Sequence, residues 1–339
     1  MIHKTIISGC LEFGNARNFD YVTKTYTQRA ETHYRMDVLF KCEDIFVEET
    51  ATLNIPRYIG QATYKSWDNT IKLLEYIAQF AVAGDLSAWM TEGGQVIKQA
   101  MIEPKSEKVA VQSYLAGREL VKEEGRENEA IAALSTAIEK YERHALAYER
   151  RGYLNYKLKN YPEALEDYTK CIAINASRPE PFVGRAAIRI MQNKDGDAIA
   201  ELEKAIKQSI PLQPIHWNAR RLKAECHLRR EEYKEAATEL KFFTQRAFST
   251  DNPNHLKLRK AWFNYGKALM ALNEFAEAQK AFNSALETAR FEGDVADAEL
   301  LLHRGMALRQ GGQSGYLRDW KAAADQGLAR AAELLEEVK

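Results

Sequence analysis

The sequence predicts a mainly α-helical protein, a solenoid of about six helix pairs preceded by a small α/β domain. Three observations carry this reading. Small residues recur in the middle of one set of helix-like stretches, at Gly117, Gly152, Ala186, Ala224, Gly266 and Gly305, spaced by 35, 34, 38, 42 and 39 residues. Alanines recur in the stretches that follow, at Ala130, Ala164, Ala198, Ala236 and Ala278, spaced by 34, 34, 38 and 42. The first 105 residues do not carry the repeat. Two independent markers with one period define a two-helix unit, and such units bury their apolar faces by stacking on their neighbours.

In the first 105 residues, Thr5 to Phe13 reads as a strand, with Gly9 as a bend and Gly14 as a stop. Asn15 can cap a helix running to about Arg35, along which Phe19, Val22, Tyr26, Ala30 and Tyr34 recur at three- and four-residue steps. Asp37 to Leu53 is β-rich, with Val38, Phe40, Ile45, Val47 and Thr52 suggesting strands and Pro56 ending the segment. Ser66 can cap a second helix through about Ala83, with Gly84 as its stop and Ile71, Leu74, Ile77, Ala78, Ala81 and Val82 as its apolar stripe. Leu86 to Met90, a Glu92-Gly93-Gly94 turn and Val96 to Ile102 read as a β-hairpin. Pro104 to Lys108 is a short charged junction rather than a flexible tether. The N-terminal domain is therefore expected to dock on the first helix of the array and to cover the apolar end that a solenoid exposes.

From Val109 onward the unit is explicit. Small residues are needed where two helices cross closely, and the large residue four positions after each alanine fills the groove beside it. That set is Leu134, Tyr168, Leu202, Leu240 and Phe282. Tyr148, Gly152, Tyr161, Ala164, Tyr168 and Cys171 form one copy, and Trp262, Tyr265, Gly266, Leu269, Phe275, Ala278, Phe282 and Ala285 form another. At these spacings the array resembles the tetratricopeptide repeat (TPR) family over residues 109–339, whereas residues 1–105 resemble no family we recognise. The unit near Ile215 departs from the pattern, with Arg220 and Ala224 in place of the aromatic and the glycine, and the later units are longer than 34 residues. The last unit, interrupted at Gly311-Gly312-Gln313-Ser314-Gly315, looks like a closing repeat with a solvating cap helix.

Charge and motifs narrow the function. Lys+Arg and Asp+Glu are equal at 48 each, so the formal net charge is zero, and no strong field favours nucleic acid or a membrane surface. No apolar run approaches the roughly 18 residues that a membrane helix needs. Cys10, Cys42, Cys171 and Cys226 are scattered, which fits a reducing cytoplasm rather than a disulfide frame. Ile7-Ser8-Gly9-Cys10 resembles a lipoprotein cleavage box, but only Thr5, Ile6 and Ile7 lie between Lys4 and Ser8, and a buried strand is the better reading. The seven histidines lack metal-ligand spacing, and no phosphate loop, GxGxxG, HExxH, GxSxG or EF-hand pattern occurs, so no metal or cofactor is expected. Trp67 and Trp89 have no basic surroundings and are expected in a core rather than as base-stacking platforms.

The resemblance to TPR proteins implies a non-enzymatic adaptor or scaffold holding a peptide or helix in a concave groove. Transferring the family register places Tyr114, Arg118, Glu149, Tyr153, Val183, Ala187, Arg221, Glu225, Phe263 and Lys267 on its wall. The lysine/asparagine clamp of some TPR chaperone adaptors is not met, since Tyr114, Arg118, Arg150, Glu180 and Gly184 stand at the corresponding places. Arg220, Arg221, Lys223, Arg229 and Arg230 form a basic helix that can receive an acidic segment, or be neutralised by Glu225, Glu231 and Glu232. Two alternatives remain. One is an enzyme or nucleic-acid-processing unit in residues 1–105, for which Asp85, Glu103 and Lys105 follow the acid, acid-x-lysine order of restriction-type nucleases, with Pro104 a poor fit inside a strand. The other is self-assembly through solenoid ends or hairpin edges, giving a homo-oligomer.

Overall fold

The computed structural model describes residues 1–338. Near its N-terminus the chain forms an antiparallel sheet of five strands in the order β2-β3-β1-β4-β5. These are β1 (His3–Glu12), β2 (Phe46–Val47), β3 (Thr52–Ala62), β4 (Ala83–Glu92) and β5 (Gln95–Ile102). Helices α1 (Ala16–Thr32) and α3 (Tyr64–Ala78), with the short α2 (Cys42–Ile45), supply the apolar side chains of a second layer. Ile7, Leu11, Leu53, Ile55, Leu86 and Ala88 from the strands meet Val22, Tyr26, Leu74 and Ile77 from the helices in one core. The side-chain alternation of strands and the three- to four-residue step of the helices thus converge on one buried layer.

Local chemistry sets the boundaries of these elements. Asn15 caps α1 by accepting from the Asn18 N–H at 2.9 Å, as its position in the sequence implies. The cap of α3 is Thr63, not Ser66: the Thr63 hydroxyl accepts from the Ser66 N–H at 3.1 Å, while Ser66 Oγ donates to Asp37 at 2.5 Å. Gly84 does not stop this helix. It lies inside β4 at φ +98°, where a Cβ would collide with the Cys10 carbonyl of β1. Pro56 does not end a segment either, because β3 runs through it. Ile7 pairs with Tyr58 and Gly9 with Ile55, so Pro56 and Arg57 together face Ser8 in a β-bulge. A bulge leaves ladder positions unpaired, so the missing proline N–H is tolerated there. Of the β-rich reading of 37–53, only the short β2 and the start of β3 are strand, and Cys42–Ile45 is helical. Trp67 and Trp89 are buried.

The chain divides into two units at Ser177/Arg178. The first holds the sheet domain and two helix pairs, α4 (Val109–Leu120) with α5 (Glu127–Lys140), and α6 (Ala145–Lys157) with α7 (Tyr161–Ile174). The second holds α8 (Glu180–Met191) with α9 (Asp195–Gln208), α10 (Pro214–Arg229) with α11 (Tyr233–Thr244), α12 (Leu258–Ala271) with α13 (Phe275–Glu287), and α14 (Asp297–Gln310) with α15 (Tyr316–Asp325). A last helix, α16 (Ala329–Glu336), buries Ala331 and Leu334 and leaves its other face to solvent. The long periods have local causes. Thirteen residues, 245–257, join α11 to α12, and Arg259 organises the 288–296 connection. Its buried guanidinium donates to the carbonyls of Ala285 and Thr288 at 2.9 Å and of Val295 at 3.0 Å, and pairs with Asp297. No helix among the described residues is long and apolar enough to cross a membrane.

The recurring small residues lie where the helices of a pair touch. A Cβ on Gly117 would sit 2.7 Å from Leu134, on Gly152 3.0 Å from Tyr168, on Gly266 2.5 Å from Phe282 and on Gly305 2.5 Å from Trp320. The structure thereby adds Trp320 to the series of large residues, and all six are buried. A left-handed residue recurs with the same period in the turn between the two helices: Gly125, Lys159, Asn193, Glu231, Asn273 and Gly312. Glycine and asparagine suit that conformation, whereas lysine and glutamate carry roughly 1–2 kcal/mol of steric strain.

Two stability measurements follow from these contacts. Gly266→Ala is expected to cost about 1–3 kcal/mol by overpacking against Phe282, and Phe282→Leu in the same chain to recover part of it, read by denaturant unfolding. Lys159→Gly and Glu231→Gly are each expected to stabilise by roughly 0.5–1 kcal/mol, the relieved strain less the entropy that glycine loses on folding. Lower midpoints in both would show that the turns are unstrained.

Candidate functional site

The ten expected wall residues differ sharply in accessibility. In the first unit, Tyr114 is buried and its ring lies 4.8 Å from that of His144. Arg118 Nη1 is 2.5 Å from Glu103 Oε2, a bridge that ties the end of the hairpin to α4 and holds the guanidinium charged. Glu149 is buried, whereas Tyr153, one turn further along α6, is 44% exposed. In the second unit Val183 is buried and Ala187 half-buried. Arg221 pairs with Glu225 at 2.7 Å and also donates to Asn218 at 2.8 Å. Phe263 is buried against Phe282 and edge-on to His303, and Lys267 is exposed with its ammonium 5.4 Å above the Phe263 ring. Within the first unit Tyr153 is the exposed member beside the buried Tyr114 and Glu149, and within the second Lys267 is the exposed member beside the buried Val183 and Phe263.

The basic helix is neutralised where it stands. Arg220 pairs with Glu239 at 2.5 Å, Lys223 with Glu203 at 2.9 Å and Glu239 at 3.3 Å, Arg229 with Asp195 at 2.6 Å and Arg230 with Glu232 at 2.8 Å. Two of the three acids named from the sequence, Glu225 and Glu232, take part, and Asp195, Glu203 and Glu239 come from neighbouring helices.

A recurrent ion ladder escaped the sequence reading. The residue before the small residue is Arg151, Arg185, Lys223 or Arg304, and the residue before the large one is Asp167, Glu201, Glu239 or Asp319. Each cation pairs with its acid, at 2.7, 2.8, 3.3 and 2.6 Å respectively. Three of the cations also reach back to the preceding helix: Arg151 to Ser135 Oγ at 2.9 Å, Lys223 to Glu203 at 2.9 Å and Arg304 to Asn283 Oδ1 at 2.8 Å. Ser135, Glu203 and Asn283 each follow the large residue of that helix. The signal was present in the sequence as a cation followed 15 or 16 positions later by an acid, one residue ahead of the two packing markers in four of the six pairs; the pairs at Gly117 and Gly266 lack it.

The sheet domain is joined to the array within the first unit. The buried Glu12 at the end of β1 accepts from Tyr141 Oη at 2.7 Å and lies 3.5 Å from the Arg143 guanidinium. Both partners lie in the α5–α6 turn, so docking reaches the second helix pair as well as the first. Lys108 Nζ donates to the Phe80 carbonyl at 2.5 Å, and burial holds its pKa below the usual lysine value. Next to the joint, His144 caps α6 by accepting from the Ala147 N–H through Nδ1 at 3.2 Å. Burial pushes its pKa down to about 4.

The acid-acid-lysine arrangement is partly assembled. The ladder pairs Leu86 with Ile102, so Asp85 and Glu103 sit one residue beyond the same cross-strand pair. The Glu103 carboxylate, however, is held by Arg118, and Lys105 is exposed past the strand. No group of three or more His, Cys, Asp or Glu side chains placed to hold a metal occurs among the described residues. Cys10 lies in β1 beside Asp85, and burial raises its thiol pKa to about 12, which keeps it protonated.

Comparison with known proteins agrees with the repeat. One tetratricopeptide repeat profile matches residues 114–179 and 192–241, and a second matches 260–291. Among solved structures, the chain is similar to YrrB, described as a TPR protein with an unusual peptide-binding site, with a TM-score of 0.52 and 18% identity over 60% of this chain and 98% of that one. It is also similar to pilF of Pseudomonas aeruginosa, with a TM-score of 0.51 and 14% identity over 65% of this chain and 90% of that one. At these identities the likeness is one of fold. No curated protein matches the sequence.

The His144 cap predicts a pH dependence. Its folded pKa lies below the unfolded value of about 6.5, so the unfolded chain takes up the proton first as pH falls. Stability from this group is complete above about pH 6.5 and is lost as pH falls towards 4. His144→Asn keeps a capping oxygen without the titration. Between pH 7 and 4.5 the wild-type chain is expected to lose about 2 kcal/mol more than the variant; parallel losses would show that His144 titrates normally.

Proposed function

We propose, on the premise that the repeats of residues 114–291 belong to the tetratricopeptide repeat family, that this protein is a non-catalytic adaptor whose array holds an extended or helical segment of a protein partner. One observation carries the reading most directly. Polar groups in four of the helix pairs are committed to one another through the ion ladder, while α6 of the first unit keeps an exposed aromatic at Tyr153 and α12 of the second keeps an exposed cation at Lys267 over the Phe263 ring. Aromatic anchors with flanking charges suit a peptide, the rings giving affinity and the charges fixing register. YrrB, of similar fold, is described as having a peptide-binding site.

In this reading residues 1–105 are an α/β domain that caps the array of 109–339. The bridges from Glu103 to Arg118 and from Glu12 to Tyr141 and Arg143 support it. The acidic segment once expected at the basic helix is not part of the proposal, because those cations are paired within the protein.

The test is partner capture with the wild-type chain and with Tyr153→Ala/Lys267→Glu. Both residues are exposed, so the fold should persist, and recovery of the specific partner is expected to drop by about tenfold or more. Equal recovery from both chains would remove the wall from the proposal.

A further inference from the structure

The two edges of the N-terminal sheet are guarded very differently. On the β3 side, β2 pairs only with Thr52 and Leu53, but the bare strand beyond it carries Pro56, which has no N–H, and the bulge that sets Pro56 and Arg57 against Ser8. Proline, a bulge and an exposed charge are the usual devices against edge-to-edge pairing. On the other side, β5 has no strand beyond it among the described residues. Its one bulge lies at the hairpin end, where Met90 pairs with Lys98 and Thr91 with Val96, so Lys98–Ile102 is regular. It has no proline, and its single charge is turned away: Lys98 Nζ is 2.6 Å from Asp68 of α3 and lies over the rings of Tyr64 and Trp67. Met101 is 61% exposed and Val96 44%.

We propose that β5 pairs antiparallel with β5 of a second copy of this chain across a two-fold axis, joining two five-stranded sheets into one. Three observations favour a second copy over a strand from another protein. The stretch Lys98–Ile102 is electrically neutral once Lys98 is paired with Asp68, and the whole chain has zero formal net charge, so identical copies do not repel. Pairing centred on Ala100 sets Gln99 against Met101 and Lys98 against Ile102, with no like charges opposed. Apolar residues also line the helix side of this edge, where Ile97 and Ala100 pack on the core. A lone strand extends only the sheet, whereas a second copy brings its own α3 to continue the helical layer.

The experiment is light scattering and sedimentation of the full chain over a wide concentration range, with Met101→Glu and Gln99→Glu on the β5 edge and Ile59→Glu on the β3 strand. All three positions are exposed, and circular dichroism confirms that each variant is folded. The expected result is a dimeric wild type, a dimeric Ile59→Glu, and association weakened by about tenfold or more, towards monomer, in both β5 variants. A wild type that stays monomeric throughout overturns the proposal and leaves β5 to a strand from another chain. A dimer untouched by both β5 substitutions, or lost equally in Ile59→Glu, overturns it as well.

Discussion

The array depends on one steric constraint, the approach of two helix backbones so close that only glycine, or at most alanine, fits between them. At Gly117, Gly266 and Gly305 the space beside the α-carbon is already occupied by Leu134, Phe282 or Trp320. The large side chain supplies the buried area, and the small residue sets the depth to which it sinks. The other periodic features are registered to this contact. The left-handed turn must reverse the chain at a near-fixed distance from it, and in four of the six pairs the ion ladder runs one residue before it on both helices. Where alanine stands in place of glycine, at Ala186 and Ala224, the opposing residue is leucine, and the three aromatics of the series, Tyr168, Phe282 and Trp320, all face glycine.

Charge plays a positional part. Surface ion pairs contribute little alone, but Asp167 and Asp319 are buried and each receives a two-pronged arginine. Such a fork accepts one orientation, so the ladder specifies how helices meet more than how strongly they hold. The same pairing explains why the basic helix α10 is not a free field: its cations are held by acids of α9 and α11, of α10 itself and of the turn that follows it.

Much of this was legible in the sequence. The period, the small residues, the large residues opposite them, the Asn15 cap and the Gly93-Gly94 hairpin could all be read because each is a local requirement with a narrow choice of residues. The misreadings at Ser66, Pro56 and Gly84 share a cause. Each residue has two common uses, and the deciding partner lies far along the chain: Asp37 for Ser66, Ser8 for Pro56, Cys10 for Gly84. Which of the expected wall residues stay exposed was not legible, because periodicity alone does not say which of them a neighbouring segment covers. Tyr153 stayed open and Tyr114 did not, because His144 from the following turn lies against Tyr114.

The reach of Arg151, Lys223 and Arg304 back to the preceding helix has a consequence for how such an array can change length. A gain or loss of one unit leaves the ladder intact only if the new neighbour offers an acceptor just after its large residue, as Ser135, Glu203 and Asn283 do. These acceptors are a hydroxyl, a carboxylate and an amide. The junctions therefore share geometry without sharing chemistry. Leu240 and Trp320 are instead followed by Lys241 and Lys321, so a unit stacked behind either helix would meet a cation where the ladder needs an acceptor. The ladder thereby restricts which neighbours a duplicated or excised unit can tolerate.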